Sequence, residues 1–370
     1  MERLLQELVQ QLHGPFAVSL FGPAGCAAHA PPGASCSARP HRPLPRFLLQ
    51  TLWDAWRAGR QQPPDLILCG SGLLAPVGWL LGRLLRVPVM SYLHGLDVVA
   101  DHPVYQRVWV PAIRQLDHVV TNSAHTRSLA LAAGVSADRI TVVHPGVRRP
   151  AAPNTAALAA FCQTWQLQGP VLLSVGRLTR RKGLEPFVRE VLPRLLEHHP
   201  GLTLLVVGGA AVNAAQATDQ GVQGDVTAAA AAAGLAGCLR WLGDVDEDTL
   251  QLAYASADVL VFPVLALPGD VEGFGMVALE AAAAGCPTVA YAVGGVPEAV
   301  AAGQSGLLVA AGDAAGFAQA VQTVLAGALP RLQEDACRAH AERFSWPTRG
   351  AALTAACLAV LAAARSSRRI

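Results

Sequence analysis

Short runs of apolar residues alternate along this chain with segments that have the length and periodicity of helices. Most of these runs are continuously apolar rather than alternating, which favours strands covered on both faces. Such strands, separated by helical segments, predict parallel sheets built from β-α repeats. The runs predicted to be strands are Phe16–Phe21, Asp65–Cys69, Pro88–Leu93, His118–Thr121, Ile140–Val143, Val171–Val175, Thr203–Val207, Leu239–Leu242, Val259–Phe262, Thr288–Tyr291 and Gly306–Val309.

The repeat pattern breaks once, at residues 144–153, where the sequence HPGVRRPAAP is rich in Pro, Gly and Arg and is typical of a linker. We therefore predict an N-terminal domain over residues 1–147, a C-terminal domain over residues 148–345, and a C-terminal helix with a basic tail over residues 346–370. A chain of 370 residues fits two domains of about 100–200 residues each. Open α/β sheets bind ligands at the carboxyl ends of their strands, so we expect the ligand between the domains.

Two segments near the N-terminus have distinct patterns. Residues 22–46 carry many Pro, Gly and His residues and few periodic apolar positions, which predicts a long, mobile loop. Residues 2–12 predict an amphipathic helix, because one face carries Leu4, Leu5, Leu8 and Leu12.

Composition narrows the class of protein. Hydrophobic residues make up 52% of the chain and charged residues 15%, and the net charge of +2 is too near neutral for nucleic acid as the main partner. The eight cysteines are scattered and form no CxxC pair, so we interpret them as buried small hydrophobes.

The N-terminus carries acids and lacks the apolar block of a secretory signal, and no run of about 20 strongly apolar residues is present. We therefore expect a cytoplasmic protein.

The densest group of chemically active residues lies at 270–300, DVEGFGMVALEAAAAGCPTVAYAVGGVPEAV. Two carboxylates, Glu272 and Glu280, flank Gly273 and Gly275, and a helical pattern begins near the second glycine. Glycines before a helix let a ligand approach the backbone, and the free N–H groups at the helix start favour negative charge. This pattern predicts a ligand-binding loop; a loop acid followed by a solvated helix acid has the same spacing.

A basic loop follows the predicted strand Val171–Val175, in the sequence SVGRLTRRKGLEPFV. The strand runs into Gly176, and the cations follow within a short turn. A cationic loop at the carboxyl end of a strand suits a diphosphate, although a solvated basic turn has the same composition. The cations of this loop are Arg177, Arg180, Arg181 and Lys182.

Two further motifs carry weaker signals. The sequence YLHGLDV places His94 at the end of an apolar strand, where it could contact a sugar or a leaving oxygen or serve a structural role. The acidic run Asp244–Asp248, DVDED, is interpreted as the solvated start of a helix rather than as a metal-binding pair.

Taken together, the EGFG…E spacing, the GR…RKG loop and the GGVPE turn resemble the GT-B glycosyltransferases of family 4, which include bacterial mannosyl- and glucosyltransferases. The resemblance covers nearly the whole chain. It implies an α/β fold of two Rossmann-like domains with a deep cleft and a C-terminal helix that packs back toward the N-terminal domain. It also implies an enzyme, a retaining hexosyltransferase that uses a UDP- or GDP-sugar.

The sequence DVEGFGMVALEA is similar to the phosphatidylinositol mannosyltransferase branch and its lipopolysaccharide relatives. That similarity implies a glycan or lipid-linked acceptor and a role in the synthesis of cell-envelope polysaccharide or glycolipid.

The resemblance also implies residue roles. Arg177 and Lys182 would bind the diphosphate and stabilise charge on the departing nucleotide. Glu272 would hold hydroxyls of the donor sugar, and Glu280 would hold the ribose hydroxyls. His94 would line the sugar pocket from the N-terminal domain.

Backbone groups would complete the donor site. N–H groups of residues 274–276 would assist Glu272, the base would lie near Leu242–Val245, and Gly294 and Gly295 would allow close packing beside the cleft. No metal or other cofactor is expected, because no DxD-type pair stands at a suitable site; the nucleotide-sugar is a co-substrate. The predicted donor-binding set is Gly176, Leu242, Val245, Gly273, Phe274, Gly275, Met276 and Glu280.

The start of the chain departs from this family. Members usually begin with a central strand and a glycine-rich loop, whereas this chain opens with a helix, so Phe16–Phe21 would correspond to the family's second strand. Either the true start lies upstream of Met1, or the element is lost and the protein is inactive or depends on a partner. We expect the first, because losing a central strand removes ladder bonds on both sides.

Two other functions stay open as alternatives. A non-catalytic or truncated nucleotide-sugar-binding protein would keep the C-terminal pocket. A dinucleotide oxidoreductase is disfavoured, because no GxGxxG follows a strand near either domain start.

The basic segments ARPHRPLPRF and ARSSRRI are compatible with peripheral contact with the inner face of the cytoplasmic membrane. Ordinary surface charge is the competing explanation. The cations concerned are Arg39, Arg42, Arg46 and Arg365.

Overall fold

The structure is a computed structural model that describes residues 2–209, 221–328 and 332–367. The chain divides into two compact units. The N-terminal unit contains Met1–Gly146 together with Phe344–Ile370, and the C-terminal unit contains Val147–Arg343.

The strands and helices alternate along both units. The strands are β1 Ser19–Pro23, β2 Ser35–Arg39, β3 Ile67–Cys69, β4 Val89–Leu93, β5 His118–Thr121, β6 Ile140–Val142, β7 Val171–Val175, β8 Thr203–Val207, β9 Leu239–Gly243, β10 Val259–Phe262, β11 Thr288–Tyr291 and β12 Gly306–Val309. The helices are α1 Glu2–Leu12, α2 Leu44–Gln61, α3 Ala75–Leu85, α4 Leu96–Val99, α5 Val110–Arg114, α6 Ala124–Ala132, α7 Thr155–Thr164, α8 Leu184–Pro186, α9 Leu192–Leu196, α10 Val222–Ala232, α11 Glu247–Ser256, α12 Met276–Ala284, α13 Val296–Ala299, α14 Ala314–Leu325, α15 Glu334–Glu342 and α16 Trp346–Ser367.

The C-terminal unit is built on a parallel sheet with the strand order β12–β11–β10–β7–β8–β9. Strands β8, β10 and β11 are buried at every residue, which accounts for their continuously apolar sequences. From β7 the chain runs outward through β8 and β9 and then returns to β10 on the other side of β7. The strand order therefore reverses between β7 and β10, and open parallel sheets bind ligands at the carboxyl ends of strands at such a point.

The N-terminal unit contains a second parallel sheet, with the order β3–β4–β5–β6. Strand β4 is buried throughout, and Leu93, Ile113 and Val119 belong to the core around it. The hydroxyl of Tyr92 donates to the carbonyl of Val143 at 2.6 Å, which ties β4 to the end of β6. Both units are α/β with parallel sheets, as the sequence predicts, and every strand predicted from residue 65 onward lies within two residues of its observed position.

Residues 22–46 do not form a long loop, so that prediction was wrong. They contain the 3₁₀ turn Ala24–His29, strand β2 and the beginning of α2. Strand β2 pairs in parallel with β1, and these two strands form a sheet of their own. The predicted strand Phe16–Phe21 is displaced toward the C-terminus, because β1 pairs with β2 from Ser19 onward.

A partly buried carboxylate explains why this polar segment is ordered. Asp54 of α2 accepts a hydrogen bond from Arg39 at 2.6 Å and another from Ser37 at 2.9 Å, both from β2. These contacts lower the pKa of Asp54, with the Arg39 hydrogen bond as the largest cause. Two polar side chains of the segment, Ser37 and Arg39, therefore attach strand β2 to α2.

Helices α1 and α16 pack against each other within the N-terminal unit. Leu4, Leu8 and Leu12 are buried, which confirms the predicted apolar face of α1. A side chain added at Gly350 would place its Cβ 2.6 Å from Cβ of Gln11, so the two helices approach closely at this glycine.

By length and composition, α16 could cross a membrane between Trp346 and Ser366, with a mean hydropathy of 1.4. One such helix is weak evidence for a membrane span, because core helices of soluble proteins have the same length and composition. Leu353 and Cys357 of α16 are buried within the N-terminal unit, and this packing accounts for part of its apolar character.

Candidate active site

The basic loop after β7 is attached to the exit of β10. At Gly183, where φ is +69°, an added Cβ would lie 1.9 Å from the carbonyl oxygen of Pro263, so only glycine fits. The N–H of Leu265 donates to the carbonyl of Arg181 at 2.8 Å. The cationic loop is therefore held at the point where the strand order reverses.

Lys182 and Glu272 form the centre of a buried ionic network. Lys182 Nζ lies 2.9 Å from Glu272 Oε2, and Arg181 contacts the same oxygen while its Nε donates to Asp270 at 2.9 Å. Each of these four side chains is less than one-fifth exposed. Lys182 Nζ also lies 4.6 Å from the ring centroid of Phe262, a cation–π contact. The network therefore joins the two motifs that the sequence analysis singled out.

Burial and charge compete within this network. Burial opposes ionisation of Glu272, but the charges of Lys182 and Arg181 outweigh it, so the pKa of Glu272 lies below its ordinary value of 4.5. Burial is the largest effect on Lys182 and lowers its pKa, although Glu272 acts in the opposite direction. Burial also acts to lower the pKa of Arg181, but the two carboxylates raise it overall. The lowered pKa of Glu272 means that its carboxylate is ionised at neutral pH.

This pKa shift predicts an acid-dependent stability. A carboxyl whose pKa is lowered by folding contributes stability above its unfolded pKa, and the contribution is lost as the pH falls through the lower folded pKa. We expect the wild-type melting temperature to fall more steeply than that of Glu272→Gln as the pH drops below 4.5. Parallel pH dependences of the two melting temperatures would contradict the prediction.

Gly176 and Arg177 line a small concavity together with Lys182 and Phe262. Gly176 has φ +133°, and an added Cβ would lie 3.4 Å from Lys182 Cε. Arg177 is exposed, and its positive charge is among the effects that lower the pKa of Lys182. The structure thus brings Gly176, Arg177 and Lys182 together with Glu272.

The Glu272 loop is held by two consecutive glycines. The N–H of Gly295 donates to the carbonyl of Glu272 at 2.9 Å, and an added Cβ at Gly295 would lie 2.1 Å from the carbonyl oxygen of Gly273. At Gly294 an added Cβ would lie 2.4 Å from the carbonyl oxygen of Glu272. The close packing predicted for these glycines is present and is directed against the backbone of the Glu272 loop.

Helix α12 starts immediately after this loop. Gly275, with φ +100°, is its N-cap, and Met276 is its first residue. Gly273 and Phe274 are buried beside it. Backbone N–H groups at the start of a helix are not used within the helix and attract oxygens and negative charge. Residues 274–276 therefore stand where the sequence predicts a ligand-binding backbone.

Glu280 and Glu272 have different hydrogen-bond partners. It lies in α12, and its Oε2 accepts a hydrogen bond of 2.9 Å from the hydroxyl of Tyr254 in α11. Tyr254 is 1% exposed. Burial and the charge of Glu280 raise the pKa of Tyr254 far above its ordinary value, so the phenol stays a hydrogen-bond donor.

We expect Tyr254→Phe to raise the KM for the sugar donor by roughly threefold to tenfold, with little change in kcat. The net contribution of an ordinary hydrogen bond, about 0.5–1.5 kcal/mol, corresponds to a factor of that size, and its loss would leave the carboxylate predicted to bind the ribose less firmly positioned. Steady-state kinetics would measure both constants. Tyr291→Phe, which removes another phenolic hydroxyl from the same unit, serves as the matched control, and an unchanged donor KM in Tyr254→Phe would contradict this role.

The ends of β8 and β9 lie beside the same sheet edge. Leu242 is in β9 and Val245 in the turn that follows, and both are half-buried. Asp244 accepts a hydrogen bond from the N–H of Gly209 at 2.8 Å, and Asp246 caps α11. The predicted helix start within DVDED is therefore confirmed.

His94 lies in the N-terminal unit, directly after β4. Its Nε2 lies 2.9 Å from the carbonyl oxygen of Gly70, and its backbone N–H donates to Asp97 at 2.6 Å. Asp97 also accepts from the N–H of Gly72 at 3.0 Å. The histidine is therefore held at the carboxyl ends of β3 and β4, and its contact with a sugar stays a prediction.

Sequence reasoning missed the specific parts played by Arg181, Asp270 and Tyr254. Asp270 stands two residues before Glu272 in the same motif, which was the available signal for a second carboxylate. Tyr254 carried no signal, because its pairing with Glu280 depends on how α11 and α12 pack.

A doubly wound sheet with a cationic loop at its switch point is typical of α/β proteins that bind phosphorylated ligands. Residues 169–327 match the family described as glycosyl transferases group 1, and residues 1–149 match glycosyltransferase family 4. The chain is 31% identical over 319 residues to the D-inositol 3-phosphate glycosyltransferase of Streptomyces scabiei. The aligned region covers 81% of this chain and 69% of that relative. It is 32% identical over 327 residues to the glycogen synthase of Mycobacterium tuberculosis, over 84% and 72% of the two chains.

The fold is shared with a solved structure of HepE from Anabaena in complex with UDP, with a TM-score of 0.77 and 20% identity over 97% of this chain and 96% of that one. The chain belongs to glycosyltransferase family 4 and has the GT-B fold. It is therefore a transferase, as the motifs imply.

Proposed function

We propose that the protein transfers a hexosyl unit, with retention, from a UDP- or GDP-sugar to a glycan or lipid-linked acceptor. The proposed setting is the synthesis of cell-envelope polysaccharide or glycolipid, in the cytoplasm or at the inner face of the cytoplasmic membrane. The observation that carries the proposal is the contact between Lys182 and Glu272 at the reversal of strand order.

The cations of this site suit a diphosphate. An ammonium group has three N–H donors, and the contact with Glu272 uses one of those of Lys182. The others can bind phosphate oxygens while Glu272 keeps the lysine in place. Arg177 lines the same concavity and supplies a second charge. Fixed cations beside a departing nucleotide diphosphate stabilise the negative charge that grows there.

In the proposed step, the bond between the anomeric carbon and the β-phosphate oxygen breaks, and the acceptor oxygen bonds to the same carbon. The proton of the acceptor hydroxyl passes to the β-phosphate oxygen on the same face of the sugar. Glu272, with the N–H groups of residues 274–276, holds sugar hydroxyls, and Glu280 holds the ribose. No protein nucleophile and no obligate metal takes part.

The relatives support the donor and the acceptor in general terms. HepE, which shares the fold, binds UDP in its solved structure. The Streptomyces relative is named for transfer to an inositol phosphate, and the mycobacterial relative for glycogen synthesis. These names favour a nucleotide-sugar donor and a hydroxyl acceptor.

A donor panel tests the proposal. The purified protein would be incubated with UDP- and GDP-sugars and a membrane extract as the acceptor source, with and without a metal chelator. We expect consumption of one donor, a product whose anomeric configuration is that of the donor by NMR, and unchanged turnover with the chelator. Donor binding without turnover would favour the non-catalytic alternative, and loss of turnover with the chelator would overturn the metal-independent mechanism.

A further inference from the structure

Helix α2 exposes a stripe of unusual composition, which we call the α2 stripe. At 100° per residue its five members fall within a sector of roughly 80° on one side of the helix. The opposite side is buried through Phe47, Thr51 and Gly59. The members of the α2 stripe, all exposed, are Arg46, Leu49, Trp53, Arg57 and Arg60.

The α2 stripe combines positive charge with large apolar side chains. Leu49 is 66% exposed and Trp53 59%, although the solvent face of a helix usually carries polar residues of both signs. The remaining members are arginines. The acid of this helix, Asp54, lies outside the stripe and is bound to Arg39 and Ser37. The stripe therefore presents apolar and cationic groups with no carboxylate among them.

The surface continues onto the neighbouring helix. Helix α3 packs on α2, and an added Cβ at Gly59 would lie 2.6 Å from Leu85, so the C-terminal ends of the two helices touch. Beside that contact α3 exposes Arg83 and Leu84, the second at 53%. The guanidinium of Arg83 lies over the ring of Trp79, 5.2 Å from its centroid. The end of α3 thus repeats the combination of arginine and an exposed apolar side chain.

We propose that the α2 stripe docks on a bilayer that contains anionic phospholipid. Apolar side chains on a cationic face enter the boundary between headgroups and acyl chains, and Trp is favoured at that depth. Each basic residue close to an anionic surface improves partitioning by roughly fivefold, so three arginines and two apolar side chains suffice for reversible attachment. In this proposal Arg57 and Arg60 join Arg46 as the membrane cations, whereas Arg39 is bound to Asp54.

The inference deepens the proposed function, because its biological use rests on a lipid-linked acceptor. Docking through α2 would hold the N-terminal unit at the surface where such an acceptor is embedded. Binding to vesicles needs neither donor nor acceptor, so it can be measured independently of sugar transfer.

Sedimentation with vesicles tests the proposal. The full chain would be mixed with vesicles of equal parts phosphatidylglycerol and phosphatidylcholine, and with vesicles of phosphatidylcholine alone. We expect binding to the anionic vesicles only. We expect Leu49→Ser combined with Trp53→Ser to weaken that binding at least roughly tenfold, because burial of apolar area is lost.

Leu358→Ser is the matched control, because Leu358 is 53% exposed in the same unit but lies on α16. It should bind vesicles like the wild type, and both variants should keep the wild-type melting temperature and the wild-type affinity for the nucleotide diphosphate. Equal vesicle binding by the double variant and the wild type would overturn the proposal, as would no binding by the wild type. A wild-type dimer that the double variant dissociates, without vesicle binding, would instead identify a second copy as the occupant.

Discussion

Replacing Lys182 by alanine is expected to lower the rate of sugar transfer by roughly a hundredfold or more. Loss of one fixed group that stabilises charge in a transition state has an effect of that size. Lys182 is the side chain that contacts Glu272 and also lines the concavity at the switch point. The measurement is kcat with the donor identified by the panel, together with the melting temperature as a check on folding.

Arg189→Ala is the control for this experiment. Arg189 is 57% exposed and pairs with Glu185 and Glu190 on the surface of the same unit, so its loss should leave turnover nearly unchanged. A folded Lys182→Ala protein with near-wild-type kcat would show that this lysine does not act on the departing diphosphate.

Replacing Glu272 by alanine is expected to have two effects. Turnover should fall roughly a hundredfold or more, because the donor sugar loses a hydrogen-bonding partner and Lys182 loses the carboxylate that positions it. The free energy of unfolding should fall by about 3 kcal/mol, because Lys182 stays largely buried without a carboxylate partner and Arg181 keeps only Asp270. Kinetics and chemical denaturation measure the two effects separately.

Glu272→Gln separates charge from shape. It keeps the volume of the side chain but removes the negative charge, so we expect a smaller loss of stability and a similar loss of turnover. Glu190→Ala, at a surface pair with Arg189, is the matched control for removal of an acid. Wild-type turnover in both Glu272 variants would place the sugar site elsewhere.

The strands could be predicted well because burial on both faces leaves a clear mark on the sequence. β8, β10 and β11 are continuously apolar and are buried at every position. Strand β2, with the sequence SCSAR, lacks this mark, because it lies in a two-stranded sheet and is largely exposed. Its order comes from Asp54, which is fifteen residues away from Arg39 along the chain and is not signalled by local pattern.

The motifs of the site could be predicted from the sequence, but the side chains that its two acids contact could not. The glycines and cations of the basic loop follow the carboxyl end of β7, and the two acids of residues 270–300 follow the carboxyl end of β10, as parallel topology requires. The partners of those acids depend on side-chain packing between distant segments. Glu272 binds Lys182 and Arg181, whereas Glu280 binds Tyr254, and spacing along the chain distinguishes neither choice.

The central claim is that Lys182 and its neighbours bind a nucleotide diphosphate, and titration calorimetry tests it most directly. UDP and GDP would each be compared with the corresponding monophosphate, in the wild type and in Lys182→Ala. We expect the wild type to bind one diphosphate far more tightly than its monophosphate, and the variant to lose most of that difference. An undiminished preference for the diphosphate in the folded variant would contradict the account.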